Sequence, residues 1–202
     1  GAEPAPDPKV TVIDFGGRRA HGIDSAVTGA RAMYVAGVVG TANVLAGQRF
    51  GVPVFGTVAH SFIDACGSEE RAFEQFARLY PGTTLLIDTY DTLAGAQRVI
   101  EMKQRLGDAF QVTGVRIDSG DLTRQAKAVR ALFDEAGMPD MKIIVSGGLN
   151  EDTIARLLAD GAPIDGFGAG TDMSVSGDAP SLDIVYKLVE LGGEGRMKLS
   201  AG

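Results

Sequence analysis

Short apolar runs alternate with amphipathic stretches along most of the 202-residue chain. The runs have the length and composition of buried strands, and turn residues bound most of them. They predict strands at residues 10–15, 52–58, 83–88, 112–118, 142–146, 164–167 and 184–191. Apolar residues at helical spacing lie between these runs. They predict helices over 24–39, 43–50 and 68–80, and after the candidate N-caps Asp91, Asp121 and Asn150.

The alternation of strands and helices through short links predicts parallel βα units. About six or seven such units fit the chain, whereas a full eightfold barrel takes about 250 residues. The sequence therefore predicts an α/β fold, an irregular or incomplete TIM-like barrel over residues 10–202. A doubly wound open sheet is the alternative. The Pro-rich residues 1–9 are predicted to form a disordered lead-in.

Charged side chains mark the C-terminal ends of two predicted strands. Alternation along 112–118 places Arg116 and Asp118 on one face, and Asp88 ends the preceding strand. Active-site residues of barrel enzymes lie at the C-terminal ends of the strands. We interpret Arg116 as a group that binds an anion, and the two carboxylates as groups that hold a sugar hydroxyl or a cation. A buried Arg–Asp ion pair is the alternative.

Two glycine loops near the end of the chain are candidate phosphate sites. Gly147 and Gly148 follow the strand at 142–146, and Gly168, Gly170 and Thr171 follow the strand at 164–167. Neighbouring βα loops late in a barrel commonly bind phosphate, because backbone N–H groups can approach the phosphate oxygens closely where side chains are missing. The alternative is that each glycine only permits a tight turn.

Three candidates lie in the first part of the chain. Arg18 follows two glycines at the end of the first strand, and its alternative is a solvated arginine on a surface turn. Phe15 precedes those glycines and is either a core residue or a platform for a flat ring. His60 follows the strand predicted at 52–58, where a structural histidine is the alternative to a catalytic one.

Composition excludes some functions. The formal net charge is −7 and no basic run occurs, so we expect no nucleic-acid binding. The lone cysteine, Cys66, excludes an intrachain disulfide, and we expect a buried structural thiol there. No apolar run reaches membrane-spanning length and no signal-peptide pattern is present, so we expect a cytoplasmic protein without membrane contact.

Around these candidate residues the chain resembles the nicotinate phosphoribosyltransferase family. The matching segments occur in the family's order over nearly the whole chain. They are DFGGRRAHG (14–22), GTANVLAG (40–47), GTVAHS (56–61), LLIDTYDT (85–92), GVRIDSGDL (114–122), VSGGL (145–149) and GTDMSVSGDAPSLD (170–183).

The resemblance implies a type II phosphoribosyltransferase fold and a defined reaction. Nicotinate and phosphoribosyl pyrophosphate would give nicotinate mononucleotide and pyrophosphate, in NAD biosynthesis. It also implies ATP as a co-substrate, Mg²⁺ as a cofactor and a homodimer. His60 matches the histidine that becomes phosphorylated when the family couples ATP hydrolysis to synthesis.

The resemblance further implies a role for each candidate residue. Phe15 would stack on the pyridine ring, and Arg18 and Arg116 would meet substrate anions. Asp88 and Asp118 would hold the ribose hydroxyls and the Mg²⁺ of the pyrophosphate. The two glycine loops would take the 5′-phosphate.

Ala42 bears on the choice of substrate. Relatives that use nicotinamide carry an aspartate at this position, where a carboxylate can accept from the amide NH₂. A carboxylate there would repel the carboxylate of nicotinate, so Ala42 favours the acid over the amide.

Members of this family are longer than the present chain. The smaller N-terminal domain and the C-terminal segment of the family are absent from it, so we expect a fragment that carries most of the site but is inactive alone. The alternatives are a nicotinamide or quinolinate phosphoribosyltransferase, and a phosphate-binding scaffold without activity.

Overall fold

The structure, a computed structural model, describes residues 11–178, 182, 184 and 186–196. The lead-in predicted over residues 1–9 lies outside these residues. In chain order the elements are β1 (Thr11–Asp14), α1 (Ile23–Val35), β2 (Gly40–Thr41), α2 (Val44–Phe50), α3 (His60–Cys66), α4 (Glu69–Leu79), β3 (Thr84–Leu86), α5 (Thr92–Leu106), β4 (Gly114–Ile117), α6 (Leu122–Glu135), β5 (Lys142–Ser146), α7 (Glu151–Ala159), β6 (Gly166–Ala169), α8 (Thr171–Ser174), β7 (Glu190–Leu191) and β8 (Glu194–Gly195).

The chain divides into two compact units. The first comprises Gly1–Gly56, Val145–Ala159 and Ile164–Asp183, and the second Thr57–Ile144, Asp160–Pro163 and Ile184–Gly202. Strand β5 begins in the second unit and ends in the first. The single barrel domain over residues 10–202 stays a prediction.

Strand β1 is the centre of the sheet in the first unit. It pairs in parallel with β2 on one side and with β6 on the other. The register places Asp14 opposite both Thr41 and Ala169, so the ends of the three strands lie side by side. Val27 and Ala30 of α1 form a small buried cluster with Ala46 of α2.

Parallel pairing also organises the second unit. Strands β3 and β4 pair with Leu86 opposite Arg116, and helices α4, α5 and α6 pack in sequence. Phe73 of α4, Val99 of α5 and Phe133 of α6 are almost completely buried. Full burial of such a side chain contributes about 1.5–3 kcal/mol. The parallel βα units confirm the predicted α/β class.

The three N-caps predicted after the strands are confirmed. Asp91 accepts from the backbone N–H of Ala94 at 2.7 Å, and Asp121 accepts from that of Arg124 at 3.0 Å. Asn150 accepts from the N–H of Thr153 at 2.9 Å. A side chain of this kind contributes about 1 kcal/mol, because it satisfies an otherwise unpaired donor in the first turn.

The strand predicted at 52–58 is wrong. Only Val54 forms a bridge there, to Thr41. Pro53 has no N–H, so it cannot donate to a ladder, and its carbonyl only accepts from the N–H of Thr41 at 3.0 Å. Helix α3 begins at His60, directly after this segment, and ends at Cys66 before the C-cap Gly67, whose φ is 79°.

The last strands differ from their predicted bounds. Strand β6 is Gly166–Ala169 rather than 164–167, because pairing with β1 sets Thr11 opposite Gly166. Among the described residues of the segment 184–191 the strand is β7, which forms a short hairpin with β8. Ile184 and Tyr186 there are exposed, so their alternation has no buried face.

Two helix bounds also differ. Helix α1 ends at Val35 instead of continuing to residue 39, and Gly37 follows with a φ of 110°. Helix α2 begins at Val44 rather than at residue 43, because Asn43 is its N-cap. None of the described helices is long and apolar enough to cross a membrane.

Candidate active site

Asp88 joins the ends of β3 and β4 in the second unit. It follows β3 by two residues and is only 3% exposed. Its Oδ2 accepts the backbone N–H of Asp118 at 3.0 Å and the hydroxyl of Ser119 at 2.6 Å. The structure therefore brings the two predicted carboxylates together, with Asp88 holding the turn that carries Asp118.

Arg116 lies beside these carboxylates. Its guanidinium donates to Asp118 Oδ1 at 3.2 Å and to the carbonyl of Val58 at 3.3 Å. The side chain of Arg116 is 13% exposed, whereas that of Asp118 is 30% exposed. The ion pair that the sequence offered as an alternative is thus present. It fixes a cation next to a carboxylate that solvent or a ligand can still reach.

His60 is hydrogen-bonded at one ring nitrogen and lies near a carboxylate at the other. Nδ1 lies 3.0 Å from the hydroxyl of Thr89, which is completely buried. Nε2 lies 3.6 Å from Asp118 Oδ2. The ring is therefore oriented with its Nε2 edge toward the carboxylate of Asp118. We name His60, Asp88, Arg116 and Asp118 the carboxylate cluster.

Two carboxylates of this cluster have the oxygen donors that a hard cation prefers, although the described residues include no group of three or more His, Cys, Asp or Glu side chains arranged to hold a metal ion. Oδ1 of Asp88 is buried and lacks a hydrogen-bond partner within the described part of the chain, which is unusual for a carboxylate oxygen. Asp118, whose backbone N–H is bonded to Asp88, adds a partly exposed carboxylate that also pairs with Arg116. Mg²⁺ is commonly held by one or two carboxylates plus substrate phosphates. Asp88 and Asp118 match that donor set.

Polar contacts support the loop between β3 and α5, in which the side chain of Tyr90 is exposed. Tyr90 of this loop donates to Asp64 Oδ1 at 2.8 Å, and Glu69 accepts from Arg98 at 2.7 Å. Burial raises the pKa of Glu69 to about 7, although the Arg98 guanidinium lowers it. Desolvation of the phenol raises the pKa of Tyr90 to about 12, and the bond to Asp64 acts in the same direction.

The sequence analysis missed these supporting residues. Glu69 sits in the first turn of a helix, where an acidic residue is ordinary, so nothing in its position signalled burial. Tyr90 lies within the segment LLIDTYDT, and this position in a family motif was the indication of a role near the site. Thr89 lies there too, next to Asp88.

The first unit contains a pocket of about 640 Å³, and Phe15, Arg18 and Ala42 are among its lining residues. Three predicted residues are therefore brought together. The Phe15 ring occupies the space that a side chain at Gly168 would need. The backbone N–H of Phe15 donates to the carbonyl of Ala169 at 2.7 Å. A glycine at 168 is thus required for the ring to sit where it does.

A buried link joins two loops of this pocket. Asp14 is 1% exposed, and its carboxylate accepts the N–H of Gly16 at 2.7 Å and the hydroxyl of Thr41 at 2.6 Å. Thr41 Oγ1 in turn accepts the N–H of Asn43 at 3.0 Å. We call this set the Asp14–Thr41 link. The Asp14–Thr41 link was not predicted. The indication in the sequence was that Asp14 directly precedes Phe15 and Thr41 directly precedes Ala42.

The two predicted glycine loops meet in the first unit. Gly147 and Gly148 have φ values of 95° and 59°, a backbone region that favours glycine. Asn150 Nδ2, just after them, donates to Asp172 Oδ2 of α8 at 3.1 Å. This contact places the Gly147–Gly148 turn beside the start of α8, where Thr171 is the first residue.

Two details of these loops differ from the sequence-based interpretation. Gly168 lies inside β6 and is buried, whereas Gly170 directly precedes α8. The carboxylates of Glu151, Asp152 and Asp172 border the loops. An anion bound there would therefore have to be contacted by backbone N–H groups, away from these side chains.

A family model and curated relatives identify one family for this sequence. The sequence matches the family model "Nicotinate phosphoribosyltransferase (NAPRTase) family" over residues 10–199. It is 56% identical over 191 residues to nicotinate phosphoribosyltransferase pncB2 of Mycobacterium tuberculosis, covering 95% of this chain and 41% of the relative. It is 44% identical over 186 residues to nicotinate phosphoribosyltransferase of Bacillus subtilis, covering 92% of this chain and 38% of the relative.

A solved structure supports the same assignment at the level of the fold. The crystal structure of nicotinate phosphoribosyltransferase from Porphyromonas gingivalis superimposes with a TM-score of 0.72 at 27% identity, covering 90% of this chain and 50% of that one. This similarity confirms the predicted fold, an incomplete TIM-like barrel. The chain spans about two fifths of the length of the curated relatives, 41% and 38%.

Proposed function

Because the chain belongs to the nicotinate phosphoribosyltransferase family, we propose that it carries the residues that transfer a phosphoribosyl group from phosphoribosyl pyrophosphate to nicotinate. The products would be nicotinate mononucleotide and pyrophosphate, in NAD biosynthesis. The observation that carries the proposal is the joining of Asp88, Arg116 and Asp118 at the ends of two parallel strands.

The carboxylate cluster suits the charges of this reaction. The pyridine nitrogen attacks C1 of the ribose while the bond from C1 to the pyrophosphate oxygen breaks, and pyrophosphate leaves with the electron pair. Positive charge develops on the sugar, and preorganised negative groups stabilise such charge. Asp118 is the reachable carboxylate for that role and for the ribose hydroxyls. Arg116, fixed beside it, would meet the leaving anion.

Asp88 has two tasks in this proposal. It orients Asp118 by accepting the backbone N–H of that residue. Its Oδ1, which has no hydrogen-bond partner within the described part of the chain, would bind a cation. Asp88 and Asp118 would hold Mg²⁺, which when bound supplies charge neutralisation at the pyrophosphate oxygens.

The pocket of the first unit would take the pyridine ring. Phe15 provides an aromatic face for stacking and Arg18 a positive charge for the carboxylate of nicotinate. Ala42 presents no acidic group that would repel that carboxylate. Backbone groups of Gly147, Gly148, Gly168 and Gly170, with the hydroxyl of Thr171, would take the 5′-phosphate.

We extend the proposal to ATP and to assembly. His60 would accept the γ-phosphoryl group of ATP on a ring nitrogen, with release of ADP, and its orientation by Thr89 suits a nucleophile. Coupling of this kind would drive synthesis forward. The complete protein would act as a homodimer.

The test is formation of nicotinate mononucleotide from nicotinate, phosphoribosyl pyrophosphate and Mg²⁺, with and without ATP. It uses the 202-residue chain and a version extended at both ends with the flanking segments of the Mycobacterium tuberculosis relative. Nicotinamide and quinolinate are the control substrates. We expect turnover of nicotinate in the extended version and little in the shorter chain.

Two other results would contradict the proposal, and a third would remove one expectation attached to it. Faster turnover of nicotinamide or of quinolinate would indicate a different phosphoribosyltransferase. Binding of phosphoribosyl pyrophosphate without turnover of any pyridine substrate would indicate a scaffold. Robust turnover by the 202-residue chain alone would remove only the expectation that it is inactive by itself.

A further inference from the structure

Asn43 is held in place by two hydrogen bonds, one made by its backbone and one by its side chain. Its backbone N–H donates to Thr41 Oγ1 at 3.0 Å as part of the Asp14–Thr41 link. Its side-chain Oδ1 accepts the N–H of Ala46 at 3.1 Å and caps α2. Because both the backbone and the carboxamide are fixed, the direction of the remaining side-chain group is fixed too.

The remaining group is the Nδ2 amide, which lies on the opposite side of the carboxamide from Oδ1. Asn43 lines the pocket together with Phe15 and Arg18. Nδ2 lies 3.8 Å from the position that a Cβ on Gly17 would occupy. No acceptor for Nδ2 is found among the residues that the structure describes, and Gly17 beside it also lines the pocket.

We propose that Asn43 is a specificity-determining residue, whose Nδ2 donates a hydrogen bond to the carboxylate of the pyridine substrate. This inference rests on the proposed function, because it places the substrate acid in this pocket. A carboxylate presents only acceptors toward Nδ2, and charge-assisted bonds of this type are strong. A carboxamide can turn only its carbonyl oxygen toward Nδ2, and this neutral acceptor forms a weaker bond than a carboxylate oxygen does.

The neighbours of Asn43 agree with this role. Ala42 brings no side-chain acceptor to the pocket, and Arg18 adds a positive charge. The exposed backbone at Gly17 leaves room for a ligand close to Nδ2. The pocket thus presents hydrogen-bond donors and a cation to the edge of the substrate. This arrangement favours a carboxylate over a carboxamide.

Asn43→Asp separates the two tasks of this side chain. Aspartate caps a helix about as well as asparagine, so α2 should remain intact, while a donor is replaced by a negatively charged acceptor. We expect the KM for nicotinate to rise about 100-fold with a smaller change in kcat, and the preference for nicotinate over nicotinamide to fall. Asn43→Ser keeps a cap and removes the donor without adding charge, and we expect a KM rise of about 10-fold.

Gln48→Glu is the matched control. It adds one negative charge to the same helix at an exposed position outside the pocket lining. We expect its KM for nicotinate to stay at the wild-type value. Kinetics would be measured in the extended protein, and nicotinate binding by calorimetry in the same variants, with thermal unfolding to show that each is folded.

The outcomes distinguish this inference from the proposed function. If the wild-type protein turns over nicotinate but Asn43→Asp and Asn43→Ser keep its KM and binding constant, the role of Asn43 is overturned and the proposed function stands. If the wild-type protein neither binds nor turns over nicotinate, both are overturned.

Discussion

At the scale of single residues, His60 is held by two neighbours of different character. The hydroxyl of Thr89 is buried and fixes Nδ1, whereas Asp118 is partly exposed and lies near Nε2. Asp118 is therefore shared between the histidine and Arg116. A change in the charge of His60 would be felt directly by the carboxylate proposed to face the sugar.

His60→Ala should separate ATP coupling from basal synthesis. We expect ATP stimulation to disappear, because the phosphoryl acceptor is gone. Basal synthesis should change by less than about tenfold, far below the 10²–10⁴-fold loss of a general acid or base. Steady-state rates with and without ATP in the extended protein measure both quantities.

The control is His21→Ala, which removes the other histidine of the chain at an exposed position. It should retain the basal rate and the stimulation. Unchanged stimulation in His60→Ala would show that our role for His60 is wrong.

The sequence predicted some neighbours at this scale and missed others. Asp88, Arg116 and Asp118 could be grouped, because the ends of adjacent parallel strands meet at one edge of a sheet. The partners Ser119 and Thr89 could not, because a hydroxyl finds its acceptor only when the tertiary structure sets its rotamer. The roles given to these residues remain predictions.

At the scale of elements, α4 and α5 are joined by an ion pair that is buried on the carboxylate side. Glu69 begins α4 and its side chain is 1% exposed, whereas its partner Arg98 on α5 is 40% exposed. Oε1 of Glu69 has no hydrogen-bond partner in the described part of the chain. Such a carboxylate is costly to ionise, which explains the direction of its pKa.

Stability should therefore depend on pH through Glu69. Its pKa is 4.5 ordinarily and about 7 in the folded protein, so between these values the folded state holds a proton that the unfolded chain has released. The free energy of unfolding should fall as pH rises from about 4.5 to about 7. The fall is on the order of 1–3 kcal/mol, since one pKa unit corresponds to about 1.4 kcal/mol.

Glu69→Gln should remove much of this dependence, because glutamine stays neutral. Urea unfolding at several pH values from 5 to 8 measures it, with Glu70→Gln as the control, since the side chain of Glu70 is 68% exposed. Parallel pH profiles for Glu69→Gln and the wild-type protein would contradict the assignment.

Helices were predicted better than strands. Asp91, Asp121 and Asn150 mark helix starts through a local hydrogen bond that the sequence reveals directly. A strand needs a neighbour, and neither 52–58 nor 184–191 has one along its described length beyond short bridges. Periodicity within a segment carries no information about such a neighbour.

At the scale of the whole molecule, an acidic chain is proposed to bind anionic substrates. The formal net charge is −7, so binding must come from local groups and not from the overall field. The arginines of the two units and the backbone N–H groups of the glycine loops are those local groups. The family could be recognised from sequence because its motifs are spread over nearly the whole chain.

The division into two units could not be recognised in the same way. It joins residues 145–159 with residues 1–56 through contacts between distant parts of the sequence. Local patterns of apolar and polar residues carry no information about such contacts.

Phosphoribosyl pyrophosphate with Mg²⁺ should stabilise the folded chain even without turnover. At 100 times its Kd a ligand adds about 2.7 kcal/mol, and for a chain of this size each kcal/mol raises the Tm by about 2–4 °C. We expect a rise of about 5–10 °C in thermal unfolding. Chelation of Mg²⁺ and the variant Asp118→Asn should each reduce it. No shift at millimolar ligand would contradict our proposal for the carboxylate cluster.

The contact between Phe15 and Gly168 has a consequence for protein engineering. The Phe15 ring fills the space that any side chain at position 168 would need. Substitutions at positions 15 and 168 therefore have to be made together. A library that enlarges residue 168 alone would lose the aromatic platform, and one that shrinks residue 15 alone would leave a void above a glycine. Remodelling the pocket for a bulkier heterocycle therefore calls for paired codons at 15 and 168, drawn together so that their combined volume stays constant.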